Sequence, residues 1–129
     1  AMNKFFRKSC DHFSADWPIM DDTWAQSMEL WVLNGIPPGS FLEAVLANDL
    51  HSAVLRSHPA NTWDSVMSLA RWLLNVAPKE CYGSYDNLKK WQVLTDDQRM
   101  EKCIAVGLMP TAWEILNNDP KWMFYGTEP

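Results

Sequence analysis

The stretch Asn34–Leu50, NGIPPGSFLEAVLANDL, constrains the fold of this chain more than any other. Asn34-Gly35 reads as the end of a helix, because glycine adopts the left-handed closing conformation at little cost. Pro37-Pro38-Gly39 cannot extend that helix and forms a stiff connector. Ser40-Phe41-Leu42-Glu43 then has the form of a capping box, in which the Ser40 hydroxyl accepts from the Glu43 amide and the Glu43 carboxylate reaches back to the Ser40 amide. Phe41, Leu42, Val45, Leu46 and Leu50 supply the apolar stripe of the helix that follows. Asn48-Asp49 interrupts it and reads as a junction, with Asp49 capping a second helical piece through about Arg56. A buried polar site that contacts a ligand is the alternative, since a buried Asp must find donors.

The rest of the chain repeats this helical grammar. Asn3–His12 forms at most a short helix with a basic face, inside a loosely patterned lead-in over residues 1–20. Asp16-Trp17-Pro18 breaks it, because the residue before proline is pushed out of the α region. Asp21 or Asp22 caps the next helix, on which Trp24, Met28 and Trp31 share one face. The longest helix is expected from about Thr62 to Ala77, at the centre of the fold, with Pro78 as its stop. Ser84 caps a short helix that carries Trp91. Two further capping boxes follow at Thr95–Gln98 and Thr111–Glu114. Trp122-Met123-Phe124-Tyr125 is too apolar for a free tail. No stretch shows the period-2 alternation of a strand. The expected fold is all-α, a single-domain bundle of six or seven short helices over residues 1–129.

Charge is distributed unevenly. The formal net charge is −5, yet Lys4, Arg7 and Lys8 open the chain, and no Lys or Arg occurs from Ser9 to Leu55. Asp11, Asp16, Asp21, Asp22, Glu29, Glu43 and Asp49 fall in that interval. Such a face repels phosphate backbones and suits a basic protein partner, unless it is simply solvated. Three widely spaced cysteines (Cys10, Cys81, Cys103) fit free thiols in a reducing compartment. No apolar run reaches the roughly 18 residues of a membrane span, and no signal peptide is visible. Ala1 ahead of Met2 reads as a cloning remnant. The expected setting is cytoplasmic.

Chemistry is harder to find. Cys10-Asp11-His12 and the pair His51 and His58 are the only metal candidates, and they lack the ligand spacing of a zinc site. Cys81 is a nucleophile only if a histidine reaches it. Asp21-Asp22 and Asp96-Asp97 sit at helix starts, where they complement the dipole. No nucleotide-binding loop or hydrolase elbow is present, so neither a cofactor nor an enzymatic activity is expected. Residues 99–117 have the outline of a helix-turn-helix, packed through Cys103, Val106, Leu108, Trp113 and Leu116. The second helix lacks cations for phosphate, which argues against nucleic acid. Eight tryptophans are many for 129 residues. Most belong to the core. Trp72, beside Arg71 and off its helix's main apolar face, and Trp122, after the last helix, are the candidates for an exposed anchor. With Asp21, Asp22 and Glu29 they form the expected partner-binding set.

Two segments carry a resemblance. Residues 35–50, with Gly35, Pro37, Gly39, Phe41, Asn48 and Asp49, and residues 73–91, with Asn75, Pro78, Gly83, Ser84 and Trp91, resemble a family of small phage and prophage proteins. The shared pattern is G-x-P-x-G, then F-L-x-A-V-L-x-N-D-L, a long helix, and an aromatic-Gly-Ser ahead of a closing Trp. It covers about half the chain, and Pro38 departs from it. The resemblance implies a phage origin and action inside an infected bacterium. It brings no activity. The expectation is a non-enzymatic accessory protein that binds a host protein or a small signalling ligand and counters host defence. A nucleic-acid-linked regulator using residues 99–117 is the alternative.

Overall fold

The computed structural model describes residues 3–12 and 20–122. Among these, eight α-helices follow one another: α1 (Lys4–His12), α2 (Asp22–Asn34), α3 (Ser40–Leu46), α4 (Leu50–Arg56), α5 (Trp63–Val76), α6 (Tyr85–Gln92), α7 (Asp96–Ala105) and α8 (Ala112–Leu116). Short 3₁₀ turns occupy Lys79–Cys81 and Pro120–Trp122. The chain is all-α, with one or two helices more than the six or seven expected, and the 34–50 stretch splits at Asn48 as its sequence indicates. The breaks expected at Asp16-Trp17-Pro18 and the fold-back of Met123-Phe124-Tyr125 lie outside the described residues.

Most of the starts and stops follow from side-chain chemistry. Asp21 accepts from the Thr23 and Trp24 amides and opens α2. Gly35 closes it at φ +68°. Asn48, at φ +61°, turns the chain between α3 and α4, and Asp49 caps α4 by accepting from the Ser52 amide at 3.2 Å. The junction reading of Asn48-Asp49 therefore holds. Thr95–Gln98 and Thr111–Glu114 both form complete capping boxes. The third expected box does not form. Gly39 is the N-cap of α3 and Ser40 its first helical residue, so the Glu43 amide is already taken by the Gly39 carbonyl at 3.0 Å, and no side chain caps this helix.

One continuous cluster of buried side chains forms the core. Among the described residues three indoles are fully enclosed, and each finds an acceptor, as a buried N–H requires. Trp31 Nε1 donates to the Cys81 carbonyl at 2.9 Å, Trp91 Nε1 to the Trp31 carbonyl at 3.2 Å, and Trp72 Nε1 to Ser9 Oγ at 3.3 Å. The first two bind α2 to the 79–91 region. The third binds α5 to α1. Residues 4–12 are thus no loose lead-in: Phe6 and Cys10, one turn apart, are buried, and the Phe6 ring lies 5.5 Å from that of Trp72.

Arg99 locks the far end of α2. It is buried, and its guanidinium donates to the Trp91 carbonyl at 3.1 Å, the Gln92 carbonyl at 2.8 Å and Asp96 Oδ1 at 2.7 Å. These carbonyls belong to the last turn of α6, where a cation complements the helix dipole. Gly35 lies directly beneath the guanidinium, and a Cβ there would collide with it. The residues of the 35–50 and 73–91 segments also meet: the Gly83 amide, at φ +109°, donates to the Leu46 carbonyl at 2.7 Å, and Ser84 caps α6 through the Asn87 amide.

Candidate functional site

α5 is apolar on two faces. Leu69, Trp72 and Leu73 enter the core. Trp63, Val66, Met67, Ala70 and Leu74 recur at helical spacing on a second face, about 130° around the axis from the first. Trp63 is 63% and Leu74 70% exposed. Trp63, Val66, Met67 and Ala70 of this face and the α3–α4 corner enclose an apolar groove of about 280 Å³, and Leu74 lies outside its lining. Phe41 and Val45 from α3 and Leu50 and Val54 from α4 form its other wall, and Leu50 and Val54 are 56% and 60% exposed. Ala44, Ala53 and Ala70 lie along the floor.

Its polar lining residues are few: Asn48 and Asp49 at the α3–α4 corner, and Ser57 and Asn61 between α4 and α5. Asp49 Oδ2 accepts from the Tyr85 hydroxyl at 2.7 Å. That hydrogen bond, and then those from Ser52, hold the carboxyl below the usual aspartate range. The same bond pushes the Tyr85 phenol up. The Asn48-Asp49 corner is therefore a rigid, ionised rim of an otherwise apolar surface.

The residues expected to bind a partner do not converge. Trp72 is wholly buried, which excludes it as an exposed anchor. The error has a physical source: the richer stripe of α5 looks like the core face in sequence and is the open one. Trp122 is half-buried, edge-on to Phe5 with centroids 5.8 Å apart, and Lys8 and Lys121 lie over its ring at 5.3 and 5.4 Å. The acidic candidates have internal partners. Asp21 caps α2, Arg7 Nη2 donates to Asp22 at 2.7 Å, and Glu29 accepts from the Asn3 amide at 2.7 Å. Among the described residues the exposed tryptophans are Trp63 and Trp113. Only the position of Trp63 at the mouth of α5, with Leu74 eleven residues on, signals this in sequence.

The chemical alternatives lose their geometry. Cys10, Cys81 and Cys103 are free and buried. Burial pushes the Cys10 and Cys103 thiols up to about 12, and Cys81 is raised by burial first and by Cys103 next, so none is an activated nucleophile. Among the described residues no group of three or more His, Cys, Asp or Glu side chains could hold a metal ion. His58 Nδ1 accepts from the Ala60 amide within its own turn. α8, the would-be recognition helix, has five residues and presents Trp113, Ile115 and Leu116 to solvent. Val106, Trp113 and Leu116, expected as packing positions, are exposed. No described helix is long and apolar enough to cross a membrane. Comparison with protein-family models, curated proteins and solved structures returns no match.

Proposed function

We propose that this chain is a non-enzymatic accessory protein of phage or prophage origin, working in the cytoplasm of the bacterial host by binding a host protein, with a defence component as the target. The origin and setting rest on the resemblance carried by residues 35–50 and 73–91. The binding role rests on one observation, the α3–α5 groove. Leu50, Val54 and Trp63 expose large apolar side chains along one concave surface, and apolar grooves of this kind serve as interaction sites. The groove favours a protein over a small signalling ligand. Its volume of about 280 Å³ lies at the lower edge of ligand pockets, and its walls offer few convergent polar groups.

Capture from lysate tests the reading. Tagged full-length protein should retain one host protein near one-to-one through a moderate-salt wash, from uninfected or infected cells. Val54→Asp, which puts a charge on the groove wall at an exposed position, should release it. A bait that returns empty from both lysates overturns the proposal.

A further inference from the structure

The groove also defines what it would hold. We infer that its occupant is an amphipathic helix of the partner, apolar along about two turns and carrying Lys or Arg at the turn that meets Asp49. This rests on the reading of the chain as a binding protein and names the segment bound. Both walls are helices, and a third helix packs into such a trough at an axial separation of about 8–10 Å when the floor is small. Ala44, Ala53 and Ala70 provide that floor. From Trp63 to Ala70, the α5 residues that line the groove, the trough runs about 10 Å, two turns of a partner helix. Among the described residues there is no strand, so an extended peptide has no sheet edge to join, and helix-in-groove docking suits a trough walled by helices.

Charge decides the flank. The α3–α4 wall belongs to the interval, Ser9 to Leu55, that lacks Lys and Arg. Asp49 is the one charged side chain among the groove's described lining residues. Arg56 acts on it only through the field and forms no ion pair with it, and Tyr85 and Ser52 fix the carboxylate in place. A cation on the incoming helix completes that rim, and a carboxylate there is repelled.

Three synthetic 18-residue peptides without tryptophan test this against the full-length protein. They share one leucine stripe, flanked by Lys, flanked by Glu, or flanked by Lys with a central Pro. Fluorescence anisotropy should give the Lys peptide at least tenfold tighter binding than the Glu peptide, with the Pro peptide unbound. Val54→Asp should weaken the Lys peptide tenfold or more, and Asp49→Asn should narrow the Lys-to-Glu ratio. Leu116→Asp, on the exposed face of α8, should change nothing. Equal binding of Lys and Glu peptides, retention of the Pro peptide, or indifference to Val54→Asp overturns the inference. So does a dimer by sedimentation that Val54→Asp dissociates, since a second copy would then cover the groove. Host-protein capture that survives Val54→Asp leaves the binding role standing and removes the groove helix. Selective peptide binding with an empty bait does the reverse.

Discussion

Gly35 and Gly39, four residues apart, have opposite duties. Gly35 combines a left-handed backbone with the Arg99 guanidinium packed against its α-carbon. Gly35→Ala should therefore cost about 3 kcal/mol in urea unfolding, from backbone strain and from displacing a buried cation off its carbonyls. A Cβ on Gly39 meets nothing, and its φ of −58° suits any residue, so Gly39→Ala should stay within about 0.5 kcal/mol. Asp49 gives a pH signature. Its folded pKa lies below the unfolded value, so its ionised form favours the fold above the unfolded pKa, and that contribution disappears as pH falls through the folded one. Tyr85→Phe removes the largest cause. The Asp49 carboxyl should then titrate at higher pH by carbon-detected NMR, and the wild type's advantage at neutral pH should fade under acid. A midpoint unmoved by Tyr85→Phe would rule this account out.

At the scale of elements, capping was legible and facing was not. A Ser or Thr three residues ahead of Glu or Gln is a local signal, and Thr95 and Thr111 obey it. Ser40 shows its limit: a shift of one position, imposed by Pro37-Pro38-Gly39, leaves the same letters without the bonds. Thr95→Ala and Ser84→Ala should each cost about 1 kcal/mol, while Ser40→Ala should be close to neutral. Thermal unfolding of the three variants separates real caps from the apparent one. α5 was legible as the longest helix, nearly to the residue. Which of its two apolar faces points inward was not, because periodicity reports that a face is apolar without saying what covers it. That ambiguity put Trp72 forward as a surface anchor and passed over Trp63. The groove was hidden by the same ambiguity, although α3 and the Asn48-Asp49 corner that wall it were the clearest stretch in the sequence.

Across the whole molecule, long-range hydrogen bonds from indoles join elements that local signals treat separately. The three thiols report on this closure. All should resist a thiol reagent such as DTNB in the native protein and all should react in urea, in one transition with tryptophan fluorescence; early reaction of Cys10 alone would mean that α1 opens separately. Trp31 and its acceptor at Cys81 are 50 residues apart, and Trp91 returns to the Trp31 carbonyl across 60. At the usual pace of translation, those 60 residues take the ribosome about 3–12 s to add. Throughout that interval α2 is already made, with the side chains of Met28, Trp31 and Val32 still lacking their cover. Helix α2 waits on the sixth of the chain's eight tryptophans, and in the cell the delay falls on a nascent chain that must stay unaggregated until Trp91 emerges.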